Sequence, residues 1–103
     1  MARVFIPANQ GHDYSRADAY GTIHFVTEEP LPTSNFGHMR DLWRRALVNS
    51  SKEDWIVVSS LASHLAIGSA IFARRHGRLN LLVFDGGDYV GRTIVLQEEK
   101  GQL

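Results

Sequence analysis

The sequence predicts a small, three-layer, doubly wound α/β domain, with a mainly parallel sheet of order 2-1-3-4 and an antiparallel C-terminal edge strand. Three observations predict it. Runs of strand character alternate with runs of helix character, which within one domain implies crossover connections between parallel strands. Two runs, Trp55 to Ser59 and Leu79 to Phe84, are almost wholly apolar, the pattern of central strands covered on both faces. Finally, Asp85-Gly86-Gly87-Asp88 is a hairpin signal, so the last strand returns antiparallel.

The first strand, Arg3 to Pro7, is rich in β-branched and aromatic residues and runs into the turn chemistry of Ala8 to Asp13. A short helix over Tyr14 to Tyr20 follows, with Asp13 able to accept from its first N–H groups and Gly21 able to end it. The second strand, Thr22 to Thr27, alternates, with His24 between Ile23 and Phe25, and belongs at an edge. Pro30 and Pro32 stop regular structure, and Thr33, Ser34 or Asn35 caps a second helix. There Phe36, Met39, Trp43, Ala46 and Leu47 fall at helical spacing, while Arg40, Arg44 and Arg45, with Asp41 among them, read as a solvated face. The polar turn Asn49-Ser50-Ser51 leads to the third strand, Trp55 to Ser59. A third helix begins near Leu61, capped by Ser60, and ends in Arg74-Arg75-His76-Gly77. Tyr89 to Leu96 is the returning strand. Residues 1–96 therefore read as one domain and residues 97–103 as a frayed tail.

The chain has 103 residues, eleven basic and eleven acidic, and is 44% hydrophobic. One domain of this size buries about two-thirds of its unfolded surface, so its core is adequate but small. A balanced charge gives no general attraction to nucleic acid or to an anionic membrane. The absence of cysteine removes disulfides and thiolate chemistry. No apolar run approaches the roughly 20 residues of a membrane span, and Met1-Ala2-Arg3-Val4 has no signal-peptide layout, so the expected location is cytoplasmic.

In the order 2-1-3-4 the chain reverses direction between strands 1 and 3, and the ligand crevice of such a sheet lies outside the carboxyl ends of those strands. Two polar loops meet there. The first supplies Asn9, Gln10, Gly11, His12, Tyr14, Ser15 and Arg16, with Asp13 among them. The second supplies Ser59, Ser60, Ser63 and His64 at a helix N-terminus, which favours an anion such as a phosphate. Tyr14 is expected to stack on a base. His12, Asp13 and His64 are the candidate catalytic groups, because imidazole titrates near neutrality. The bland alternative makes Asp13 and Ser60 helix caps and leaves the loop polar groups to pair with one another.

Of the five histidines, His24, His38 and His76 read as a surface residue, a packed residue and a helix terminus. No metal-ligand spacing stands out, and neither a metal nor another cofactor is expected. No Walker loop, G-x-G-x-x-G or G-x-S-x-G occurs, which disfavours a triphosphatase, a conventional dinucleotide oxidoreductase and an α/β-hydrolase elbow. The third helix, Leu61 to Phe72, is apolar nearly all round, with Gly68 permitting close approach of another backbone. This predicts a homodimer through that helix.

Two stretches carry a resemblance. His12-Asp13-Tyr14-Ser15-x-Ala17-x-x-Tyr20-Gly21 precedes a strand, and His76-Gly77-Arg78-Leu79-Asn80-Leu81-Leu82-Val83-Phe84-Asp85 is followed by Tyr89. Together they resemble small uncharacterised Rossmann-like α/β proteins of bacteriophage and bacterial genomes. The resemblance implies such a source and fold, and no mechanism. Three functional readings follow. The leading one is a protein that binds a small anionic or nucleotide-like ligand, sequestering or cleaving a signalling nucleotide. The second is a module that docks on a host protein through surplus apolar surface. The third is a nucleoside or nucleotide hydrolase or transferase using Asp13, Glu28 or His64.

Overall fold

The computed structural model describes residues 2–28, 31 and 34–96. Along the chain lie strand β1 (Arg3–Ala8), a 3₁₀ helix (Ser15–Tyr20), β2 (Thr22–Thr27) and helix α1 (Phe36–Ala46). Then come β3 (Trp55–Val57), helix α2 (Ala62–His76), β4 (Arg78–Asp85) and β5 (Asp88–Val95). The strands form one sheet in the order β2-β1-β3-β4-β5, parallel except for the β4–β5 hairpin. This is the predicted doubly wound order. The expectations for Pro30, Pro32, Thr33 and the tail 97–103 lie outside the described residues.

Strand alternation divides the core in two. Val4, Ile6, Val57 and Leu82 pack on one face with Tyr14, Ala17 and Tyr89. Phe5 and Ile56 pack on the other with Trp43, Leu47 and Phe72. Both long helices thus cover one face, and the 3₁₀ helix with its preceding loop covers the other. Local signals explain the boundaries. Gly86 and Gly87 have φ of 64° and 90°, the positive values that both central residues of a tight type I′ hairpin need. Asn35 caps α1, its side chain accepting from the His38 N–H. Gly77 ends α2.

Several local expectations are corrected. The first helix is 3₁₀ and starts at Ser15. Strand β3 stops at Val57, two residues early. Ser60 is no cap: Leu61 holds the N-cap position of α2 without a side-chain hydrogen bond, and Ser60 adopts φ of 74°. Phe36 lies in the first turn of α1, ahead of the segment from Met39 to Leu47 that packs on the sheet, and is 56% exposed. His38, in the same turn, is exposed rather than packed.

Helix α2 covers part of its apolar surface within the chain. His64, Gly68 and Phe72 are buried, Leu65, Ile67 and Ile71 are half-buried, and from Ala62 to Phe72 the exposed residues are the small Ala62, Ala66 and Ala70. Gly68 faces Trp43 of α1, so close that a Cβ there would sit inside the indole ring. The close approach expected of another backbone is therefore made by a side chain. Burying an aromatic of this size contributes about 2 kcal/mol or more.

At the strand N-terminal end, two buried polar side chains organise the loop before β3. The Asp54 carboxylate accepts from the Arg3 N–H at 2.9 Å and the Ser51 N–H at 2.8 Å. Asn80 donates to the carbonyls of Lys52 at 2.7 Å and Asp54 at 2.8 Å, and accepts from Thr93 Oγ1 at 2.8 Å. Overpacking a filled core costs about 1–3 kcal/mol. Gly68→Ala is therefore expected to lower the free energy of urea unfolding by at least the lower figure, and pairing it with Trp43→Phe is expected to restore part of the loss.

Candidate functional site

The site begins with a proline in a central strand. Pro7 has no N–H to donate, and β1 pairs with β3 only at Val4 and Phe5 while it stays with β2 as far as Ala8. The Pro7 carbonyl accepts from side chains, Thr27 Oγ1 at 3.1 Å and His64 Nε2 at 2.8 Å. The two central strands therefore part at their carboxyl ends, at the switch point.

Beside this parting, on the face of the 3₁₀ helix, lies a crevice of about 350 Å³. His12, Asp13 and Tyr14 form one wall, and Val57, Val58 and Ser59 the base. The second wall is Phe84 and Tyr89, which face each other across the hairpin with ring centroids 5.2 Å apart. The two predicted loops do meet. The hairpin wall was missed, although Phe84 and Tyr89 flank Asp85-Gly86-Gly87-Asp88 and so had to be cross-strand partners once the turn was recognised.

The remaining loop residues build the wall rather than line it. Asn9 Oδ1 accepts from the Gly11 N–H at 3.0 Å, closing a turn in which Gly11 has φ of 79°. The Gly11 N–H is thus engaged within the loop. The Gln10 N–H donates to the Tyr14 hydroxyl at 3.4 Å. Asp13 Oδ1 accepts from the Ser15 N–H at 2.9 Å, starting the 3₁₀ helix as expected. Hydrogen bonds from the Ser15 side chain and then its backbone hold the Asp13 carboxyl below its ordinary value, with Arg16 adding to the effect. Tyr14 is buried, edge-on to Phe25 at 5.6 Å and to His12 at 6.0 Å. It is a structural post rather than an exposed ring, whereas Phe84 in the opposite wall is exposed.

On the second loop only Ser59 lines the crevice. Ser63 Oγ donates to Met39 Sδ at 3.8 Å on α1. His64 is buried between helices on the far face, where Nδ1 accepts from Trp43 Nε1 at 2.9 Å and Nε2 donates to the Pro7 carbonyl. Those partners define a neutral Nε2–H tautomer, and burial lowers its pKa against the opposing pull of the Pro7 bond. His64, expected in the crevice, belongs to the framework behind it. Burial likewise raises the Tyr89 pKa, helped by Tyr14 and Asp13, so its phenol stays protonated.

Asp13 lines the crevice, where no Lys or Arg is found among the described residues, and Glu28, Asp85 and Asp88 lie at the same end of the sheet. The surroundings suit hydrogen-bond donors and apolar rings better than the anion expected from the α2 N-terminus. No group of three or more acidic or histidine side chains among the described residues is placed to hold a metal ion. Among the same residues, no helix is long and apolar enough to cross a membrane. Comparison of the chain with protein-family models, with curated proteins and with solved structures finds no match.

Native His64 is held neutral, so between its ordinary value of 6.5 and its lower native one the unfolded chain binds more protons. Stability from this group is then complete above 6.5 and is lost as pH falls from 6.5 towards the lower native value. The urea midpoint is expected to drop on acidification. In His64→Leu the dependence flattens, with a residual slope from His76, also lowered by burial, and stability at neutral pH falls by about 2 kcal/mol. Ser60→Gly relieves a left-handed backbone and is expected to raise unfolding stability by about 1 kcal/mol.

Proposed function

We propose that the chain is a small-ligand-binding protein that takes a flat, hydrogen-bonding ring, such as a nucleobase, into the crevice at the switch point. One observation carries this reading. Ser59 Oγ is buried without a hydrogen-bond partner, at a crevice whose other lining side chains are aromatic or aliphatic apart from the Asp13 carboxylate. An unsatisfied buried hydroxyl costs about 1–3 kcal/mol, which a ligand polar atom offsets. Phe84 supplies an exposed ring face, Asp13 accepts from ring N–H or amino groups, and Tyr89 and His12 add hydrogen-bonding edges. The nucleotide reading thereby narrows to its base, since among the described residues no Lys or Arg lines the crevice for a phosphate. Consistent with a phage or bacterial source, such a protein would sequester a nucleoside-derived signal.

A second reading, docking on another protein, is favoured by exposed apolar side chains. Val58 and Phe84 line the crevice, and Ile94, Val95 and Leu96 lie at the end of the sheet edge. The hydrolase reading is weaker, because both His64 nitrogens are engaged within the framework.

Titration with adenosine, guanosine and cytidine, followed by backbone amide NMR, tests the proposal. Shifts are expected to cluster at residues 12–14, 57–59 and 84–89 for at least one probe, with Phe84→Ala weakening affinity about tenfold. A panel that leaves those amides unmoved sinks the reading and turns attention to the protein-docking one.

A further inference from the structure

The balanced charge of the chain conceals a segregation. The parallel strands begin, and both long helices end, at one end of the sheet. That end carries Arg3 and Arg78 at the starts of β1 and β4, Arg44 and Arg45 in the last turn of α1, and Arg74 and Arg75 in the last turn of α2. Asp13, Glu28, Asp85 and Asp88 lie at the other, while the exposed Glu53 and the buried Asp54 are the carboxylates in the loop before β3 at the basic end.

At the basic end, Arg44, Arg74 and Arg75 line one cleft of about 460 Å³ between the helices, with Ile71 as its apolar part. All three arginines are exposed, and among the described residues none forms an ion pair; the one present joins Arg40 to Asp41. The carboxylate of Asp54, before β3 at this end, is buried and taken up by the N–H groups of Arg3 and Ser51. Asp18 is on the 3₁₀ helix, across the sheet. A cation in the last turn compensates the helix dipole, but two from each helix exceed that need, and three guanidiniums around one cleft repel one another.

We infer that this cleft is a second binding site, for a ligand bearing clustered phosphoryl groups. Guanidinium forks match phosphate oxygens in pairs, and Ile71 offers an apolar contact to whatever carries them. The same chemistry comes from a free polyphosphate or from the phosphodiester backbone of nucleic acid. The site lies at the opposite end of the sheet from the crevice and does not depend on the reading given there.

Calorimetry with inorganic tripolyphosphate, and fluorescence anisotropy with a labelled single-stranded oligonucleotide, measure the two sources. Each is carried out on the full chain and on the exposed-residue variants Arg74→Gln/Arg75→Gln and Arg92→Gln. At least one probe is expected to bind, about tenfold more weakly to the double variant and unchanged with Arg92→Gln, which lies on β5. For the oligonucleotide, the double variant is also expected to reduce the slope of log affinity against log salt by about 1.4. Binding of tripolyphosphate alone assigns a free polyphosphate, and binding of the oligonucleotide alone assigns nucleic acid. The inference is overturned if neither probe binds, or if the double variant binds as tightly as the parent chain.

Discussion

Pro7 occupies a central strand, where a residue without an N–H leaves a neighbour unpaired, and much of the molecule is arranged around the consequence. Its carbonyl is taken by the imidazole of His64 from α2 and by the hydroxyl of Thr27 from β2. The second nitrogen of His64 is in turn held by the indole of Trp43 on α1, whose ring lies against Gly68. One chain of polar contacts thus ties the strand backbone to both helices. Each buried polar atom in it is matched, which in a low-dielectric interior makes the arrangement rigid rather than costly. Without it the parting of β1 from β3 would be a defect. With it, the parting is a fixed feature at the switch point.

The two faces of the sheet divide the work. Two long helices cover one face with a continuous core of large side chains, and that side supplies most of the burial. The other is covered by a six-residue 3₁₀ helix and the loop before it, too short to reach across the sheet. Tyr14 extends this thin cover from the loop, and Tyr20 donates to the Tyr89 carbonyl at 3.1 Å, fastening it to the hairpin. A crevice survives between loop and hairpin, where this thin cover does not reach. A thick layer behind and a thin one in front give a site with rigid support and open access.

Patterns of short range were readable from the residues alone. The apolar run around Ile56, the alternation around His24 and the double glycine of the hairpin carry strand order and direction, because each is a local consequence of burial or of φ. Features that depend on distant partners were not. His64 beside Ser63 looks like loop chemistry until Trp43, 21 residues away, and Pro7, 57 residues away, claim its nitrogens. Gly68 looks like room for another backbone until the Trp43 side chain fills the space. Ser60 has the composition of a cap, yet the chain must turn sharply from β3 into α2 and uses it as a left-handed residue. The charge separation was hidden for a different reason: counting charges along a chain says nothing of which ends meet in space.

The same separation of faces puts one indole in each layer. Trp43 is wholly buried among the helices, whereas Trp55 is half-buried on the opposite face, over Gly91 and 5.2 Å from the ring of Tyr20. These are the chain's two tryptophans, so its intrinsic emission is the sum of one reporter for the thick layer and one for the thin. Replacing either with phenylalanine isolates the other, and the pair of melting curves then says whether the two layers come apart as one cooperative unit or in sequence.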